Sequence, residues 1–513
     1  MNKNKLKKAK LNILTTFLRQ LLTALCGIVI PRVMIGAFGS IVYGATTSIA
    51  QFLSYISLLE GGIGRVARGA LYVPLAENDN IQISGIYQSI KKFFAKVGVI
   101  FVIYTVILAV LYYDIAGITG FDRSFIAGLV VVISLSTIAN YLFGIANMTL
   151  LHADQKQYMT NTVITITNII NTISIVVLVM MDVNVLMVKL VSSLIFIVRP
   201  MLYSYYVKKQ YSLVKGVENK EALNQKWTGI GQHVAYFVHT NTDVILLTML
   251  ADLKYVAIYS VYRLVVFNIW NIASSFSGGM EAAFGEMLAK KDKDTFEKSY
   301  RYYKALLTTV TLILFGCTAV LIIPFIKLYM AGVTDANYVQ PVFGLILLMA
   351  EAMNCFSLPC SSIPVAGNCL KETKWGAYGE AIINISISLV LIPWNPLLGV
   401  AIGTFAATVF KCVYYMNYTA NHFLKCSRHK ILGTFAVSFA ILFLISIIGM
   451  CLLMNVVMSN FFEWIIWGII VFSIISIIAI LAMILIYPKE TKSLLYSSVK
   501  KLKKRTSRND VQE

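Results

Sequence analysis

The sequence predicts an all-α polytopic membrane protein of about fourteen transmembrane helices. They form two parallel six-helix repeat lobes plus two extra C-terminal helices, with both termini cytoplasmic. Three observations carry this expectation. The 513-residue chain is 58% hydrophobic and only 13% charged, with a mean hydropathy of +0.74, a composition outside the range of ordinary soluble domains. Apolar runs of membrane-crossing length recur from end to end. The basic residues segregate: of 44 Lys and Arg, 35 fall on the side assigned to the cytoplasm, 4 lie outside (Arg32, Arg123, Lys254, Lys327) and 5 lie within spans, as the positive-inside rule requires.

In chain order the spans are expected at 11–31, 40–59, 93–113, 124–150, 160–181, 183–207, 229–250, 255–280, 303–326, 338–362, 376–393, 396–420, 431–455 and 461–487. The basic stretch NKNKLKKAK precedes the first. Arg19 interrupts its apolar core and LCGIVIPRVMIG offers no small-residue cleavage site, so it reads as a retained helix rather than a signal peptide. The runs are too long for membrane strands and lack their period-two alternation, which excludes a barrel. Outer loops such as MMDVN and PWNP leave no room for an extracellular domain, so function must lie within the membrane. The polar segment KKQYSLVKGVENKEALNQKW, 208–227, separates six spans from the next six. The expected divisions are therefore 1–212 for the N-terminal lobe, 213–228 for a cytoplasmic linker, 229–424 for the second lobe, 425–487 for the last two spans and 488–513 for a basic tail. Pro31, Pro200, Pro324, Pro359, Pro364 and Pro393 sit within or at the ends of spans, where they kink a helix or mark its end.

Internal repetition supports the two lobes. LLEGGIGRVARGALYVPLAENDN follows the second span and SFSGGMEAAFGEMLAKKDK the eighth; Leu75 and Leu288 are 213 positions apart. IINTISIVVLV from Ile169 and IINISISLVLI from Ile382 share that offset. Six spans per copy make the copies parallel, an arrangement of secondary transporters whose site lies between the halves.

Intramembrane charge costs about 2.5 to 3.5 kcal/mol per residue on insertion scales, so each instance asks for a protein-lined or wet environment. The cations are Arg19, Lys189, Arg199, Arg263 and Lys411; the anions are Asp243 and Glu351. Gln232, Tyr236, His239 and Asp243 recur at helical spacing and form a polar stripe on the seventh span. Arg263, Asn271 and Ser274 repeat the pattern on the eighth, and Asn161, Asn168 and Asn171 on the fifth. Asp243 is expected either to pair with Arg263 or to work beside it in a wet cavity. Lys189 and Arg199 lie close enough to the membrane surfaces to snorkel, whereas Arg19 and Arg263 lie deeper. Five cations against two carboxylates leave the interior net positive, which suits a phosphate-bearing cargo. Coupling to a proton or sodium gradient is expected through Asp243 and His239, with no cofactor. Eight scattered cysteines give neither a disulfide framework nor a metal site. Walker and G-x-S-x-G motifs are absent, so no enzyme is indicated. The net charge of +20 is accounted for by topology signals and contact with anionic membrane lipids, not by nucleic acid.

Three stretches resemble the polysaccharide flippases (Wzx-type) of the MATE-like MOP superfamily: YGATTSIAQFLSYISLLEGGIGRVARGAL, GQHVAYFVHTNTDVILLTML and YSVYRLVVFNIWNIASSFSGGMEAAFGEMLA. The likeness in span count and lobe plan covers nearly the whole chain. The resemblance implies a V-shaped pair of six-helix bundles in the bacterial plasma (inner) membrane. It implies movement of an undecaprenyl-pyrophosphate-linked oligosaccharide from the cytoplasmic to the outer leaflet, alongside other polysaccharide-assembly membrane proteins. Related lipid II flippases use cavity arginines in the first and eighth helices, and Arg19 and Arg263 occupy similar helices here, by helix and not by a matched motif. The alternatives are a MATE-type multidrug or cation antiporter, a lipid II flippase, and an intramembrane polysaccharide polymerase or ligase.

Overall fold

The structure is a computed structural model that describes residues 3–61, 63–214, 216–219, 230–369, 371–424, 427–454, 456 and 458–491. Its elements are helical throughout the described residues. In order they are α1 (Lys3–Ser54), a 3-10 segment (Tyr55–Glu60), α2 (Ile63–Glu77), α3 (Asn80–Ile115), α4 (Arg123–Ala139), a π turn (Asn140–Gly144), α5 (Ile145–Ala153), α6 (Gln157–Met180), α7 (Val185–Gln210), α8 (Ile230–Leu250), α9 (Leu253–Ser274), α10 (Ser277–Ala289), α11 (Lys293–Tyr329), α12 (Pro341–Ala366), α13 (Lys374–Leu391), α14 (Pro396–His422), α15 (Arg428–Met454) and α16 (Phe461–Ile486).

Among the described residues, 11 helices are long and apolar enough to cross a membrane. The difference from fourteen has physical causes. The first two expected spans share the single helical run Lys10–Glu60. The helices α8 and α13 occupy two further expected spans but carry polar residues along their length, among them Asn241 and Asp243 in one, Lys374, Glu380 and Asn384 in the other. The lipid-facing character of the long helices is explicit in α3. Phe94, Val97, Phe101, Leu108 and Tyr112 are buried on one side, while Val99, Ile103, Val106, Ile107 and Val110 are exposed on another. A soluble helix would put polar groups there; only a hydrocarbon solvent makes such a surface stable.

Internal contacts divide the chain into two compact units. One is Met1–Val261 with Gly332–Ala336; the other is Tyr262–Ala331 with Asn337–Glu513. In the first unit, α1 has 52 residues, about 78 Å if straight and more than twice the hydrocarbon thickness. Gly39 breaks it, with φ 81° and ψ 167°, a conformation that L side chains rarely adopt. Asp335 caps the restart: Ser40 donates its N–H to Oδ2 at 2.6 Å and its hydroxyl to Oδ1 at 2.8 Å. The second half of α1 then packs on α8. Ser48 and Thr248 share a buried hydroxyl hydrogen bond at 2.6 Å, Gln51 donates to Asn241, and Tyr55 meets Phe237 edge-on at 4.8 Å. Gly44 allows the neighbouring close approach, since a Cβ there would lie 2.0 Å from the Leu253 carbonyl oxygen.

The start of the expected linker is docked on α3. Ser84 Oγ accepts from Val214 N–H at 2.9 Å, Gly85 O accepts from Asn219 N–H at 3.2 Å, and Lys92 pairs with Glu218 at 2.5 Å. Residues 220–228 of that linker lie outside the described residues.

The second unit packs α10 on α11, α12 and α14. Phe284 is fully buried, edge-on to Phe296 at 5.4 Å and to Tyr303 at 5.8 Å, within a core that includes Met353, Cys360, Ile363, Cys412 and Met416.

The 213-residue offset recurs in the backbone. Asn78 and Lys291 both have φ 56°, as do Gln155 and Asn368. These left-handed residues end α2, α10, α5 and α12, each followed by a bond back to the sixth residue: Asp79 N to Pro74 O, Asp292 N to Met287 O, Lys156 N to Leu151 O, and Cys369 N to Pro364 O. Asp79 and Asp292 then cap the next helices, accepting from Ile81 and Gln82 in one copy and from Thr295 in the other.

Candidate functional site

In the first unit, Asn161, Asn168 and Asn171 recur along α6, and two of them are held by α1. Asn161 donates to Thr16 at 2.9 Å and Asn168 to Thr23 at 3.0 Å. Asn168 also accepts from Arg199 Nη2 at 2.6 Å, while Arg199 Nε donates to Thr167 at 2.7 Å and the guanidinium lies 4.1 Å from the Phe196 ring centre. These described partners are uncharged, so the guanidinium keeps its full positive charge. Arg199 lines a cavity of about 220 Å³ with Ser136, Thr137, Asn140, Pro200 and Tyr203. The π turn at Asn140–Gly144 and the proline inside α7 give this cavity its irregular wall, and π turns inside long helices are frequent at functional sites.

Arg19 on α1 lies within electrostatic reach of His152 and Tyr203, and its buried Nε has no hydrogen-bond partner among the described residues. Such an orphan donor is costly in a buried setting unless a ligand meets it. Lys189, half-buried on α7, makes no hydrogen bond or ion pair among the described residues. Asp243 is buried and accepts from the Tyr259 hydroxyl at 2.8 Å. Tyr259 is a partner that the sequence reading missed; it lies 16 positions on, across the α8–α9 turn. Arg263, the expected partner, belongs to the second unit and lies 5.9 Å from the Phe267 ring centre. The side chains of Gln232, Tyr236 and His239 lie outside the described residues.

In the second unit, Lys411 on α14 pairs with Glu380 on α13 at 2.9 Å, the carboxylate side chain being only 4% exposed. This corrects the balance of two intramembrane carboxylates. Glu380 lies inside the expected span 376–393 and offsets one of the cations; by the same bounds Glu463 falls inside 461–487, and Lys96 and Lys304 inside 93–113 and 303–326. One turn on, buried Asn384 donates to Thr404 at 2.9 Å. Glu351 on α12 accepts from Asn354 at 3.1 Å. The two units carry related constellations: Thr167 and Glu380 are 213 positions apart, and Arg199 and Lys411 are 212 apart. In each, a cation of one helix reaches the equivalent residue of its neighbour, but only the second copy supplies a carboxylate. Asn171 and Asn384, also 213 apart, are both buried with an amide oxygen that has no partner among the described residues.

No family model and no curated protein sequence matches the chain. Solved structures do. The lipid II flippase MurJ in an inward closed conformation is similar at a TM-score of 0.69 and 14% identity, over 95% of this chain and 99% of that one. An inward-facing MATE multidrug resistance transporter of the MOP superfamily gives 0.54 and 12%, over 79% and 95%. A ligand complex of the MATE multidrug transporter DinF-BH gives 0.55 and 15%, over 81% and 95%. The chain therefore has the all-α fold of these three membrane transporters.

Proposed function

We propose that the chain flips an undecaprenyl-pyrophosphate-linked oligosaccharide repeat unit from the cytoplasmic to the outer leaflet of a bacterial plasma membrane, by alternating access of two parallel repeats. The observation that carries this reading is the extent of the MurJ likeness. It takes in 95% of this chain, against 79% and 81% for the two MATE transporters, so the flippase accounts for more of its length than the exporters do. The chemistry of the first unit is compatible with such a cargo. Arg199 and Arg19 offer guanidinium groups to a pyrophosphate, and Asn140, Asn168, Ser136 and Thr137 offer the neutral donors and acceptors that a sugar needs. Fourteen crossings with both termini inside would let the basic residues obey the positive-inside rule.

A second reading, lipid II as cargo, draws on the same MurJ likeness, and the three sequence stretches quoted above specify the family better than the substrate. The deciding experiment is to deplete the protein from cells and measure the lipid-linked oligosaccharide pool together with leaflet accessibility of its sugar. Accumulation of a complete repeat unit on the cytoplasmic side supports the proposal. Accumulation of lipid II instead selects the second reading, and normal pools with altered drug sensitivity reject both in favour of a MATE-type exporter.

A further inference from the structure

At the expected cytoplasmic ends of α11, α15 and α16, the second unit holds a cavity of about 470 Å³ that none of the transport chemistry above uses. Four cations line it, Arg301, Lys304, Lys430 and Lys489, against two carboxylates, Glu297 and Glu490. Arg301 and Glu297 are 3.6 Å apart. Lys304 is the unusual member. It is buried at 8% exposure, its ammonium donates to Thr434 at 2.7 Å, and it lies 5.8 Å from the Tyr487 ring centre. The Tyr487 hydroxyl, also buried, lies near Thr434 and Thr308 but makes a well-formed hydrogen bond to neither. The cavity wall therefore presents cations in excess of carboxylates, at the level where the apolar run of α16 gives way to Tyr487, Pro488 and Lys489.

The surface beside the cavity is that of a helix in lipid. On the last two turns of α16, Leu485 is 83% and Leu481 57% exposed. A soluble anion would have no use for such a surface, whereas an acyl chain would cover it. We propose that the cavity binds the phosphate headgroup of an anionic phospholipid of the inner leaflet, whose chains lie along α16. The phosphodiester accepts from Lys304, and Arg301, Lys430 and Lys489 stand at the rim. Basic pockets between transmembrane helices on the cytoplasmic side are suited to this class of ligand, and the volume exceeds what a bare phosphate needs. The lipid is bound here as a resident component, not as cargo, so the inference stands whether or not the flippase reading does.

The test is native mass spectrometry of the purified full chain, released from phosphatidylcholine nanodiscs that contain a minor fraction of phosphatidylglycerol. The wild type is expected to retain phosphatidylglycerol over phosphatidylcholine. The rim double variant Lys430→Gln/Lys489→Gln, exposed enough to leave folding intact, is expected to retain it roughly twentyfold less well. Lys304→Gln should lose it too, and Lys290→Gln/Lys291→Gln, basic residues outside the cavity, should not. Equal retention of both lipids, or unchanged retention in the rim variant, would overturn the proposal. Displacement of the lipid by inorganic phosphate at millimolar concentration would overturn it as well, by making the cavity a site for free anions.

Discussion

Lys411 was expected to serve as a cation for cargo, yet it sits against Glu380, and one perturbation separates the two roles. At 2.9 Å and an effective dielectric of about 20, the attraction is about 6 kcal/mol. Desolvation of the two groups costs several kcal/mol each, so the pair as a whole contributes little net stability. Removing one partner is different. Lys411→Met leaves the 4%-exposed Glu380 side chain with its attraction lost and its desolvation still in force, and should destabilise the protein by about 3 to 5 kcal/mol. Glu380→Leu should do similar damage, while Lys411→Met/Glu380→Leu should recover most of the loss. Thermal unfolding of the four proteins in one detergent, as a double-mutant cycle, measures the coupling, and transport is assayed alongside. A stable double variant that transports places the pair in the scaffold. Wild-type stability of Lys411→Met would refute the reasoning, and a stable but inactive double variant would return Lys411 to the cargo.

Other consequences follow from the first unit and its edges. Arg19→Ala or Arg263→Ala should abolish export with membrane insertion intact, scored by surface polysaccharide and by protein level; wild-type export in both removes the cavity-cation idea. Arg199→Lys keeps the charge but cannot span Thr167 and Asn168 together, so export should fall about tenfold or more at equal protein level. Asp335→Ala removes two hydrogen bonds from Ser40 and should destabilise the restart of α1 by about 1 to 2 kcal/mol, read as faster amide exchange over 40–44. Asp154, between α5 and α6, is pushed up by burial, but hydrogen bonds from Lys156, Tyr211 and Lys8 outweigh this and hold its carboxyl below the ordinary 3.8. A depressed carboxyl stabilises the fold above its unfolded value and loses that contribution as pH falls through the folded one. The melting temperatures of wild type and Asp154→Asn should therefore differ at pH 6 and converge below 3.8; a constant difference would contradict the network.

The spans were legible because hydrocarbon imposes one simple demand, a long apolar run, and α3, α11 and α16 meet it without interruption. The kink at Gly39 was less so. An apolar run says nothing of φ, and the group that caps the restart, Asp335, is 295 positions from Ser40. Partners across helices were the least legible. Glu380 was missed, and so was the tyrosine hydroxyl that donates to Asp243 from 16 positions on. Charge was visible in sequence, whereas the neighbour that decides its meaning was not.

The repeat shows why reading ions one at a time misleads. The 213-residue offset keeps what the backbone needs: the aspartate caps at 79 and 292 and the left-handed turns at 78, 155, 291 and 368. It did not preserve side-chain partners. Where the first copy sets a guanidinium against Thr167 and Asn168, the second sets an ammonium against Glu380. A hydroxyl or an amide leaves a cation's field intact for an incoming anion; a carboxylate at 2.9 Å cancels most of it beyond the pair. The positive charge counted over the whole sequence is therefore unevenly available. For a phosphate-bearing cargo the effective cations are those with neutral partners or orphan donors, which places Arg199 and Arg19 ahead of Lys411 as the groups that a transported anion would meet.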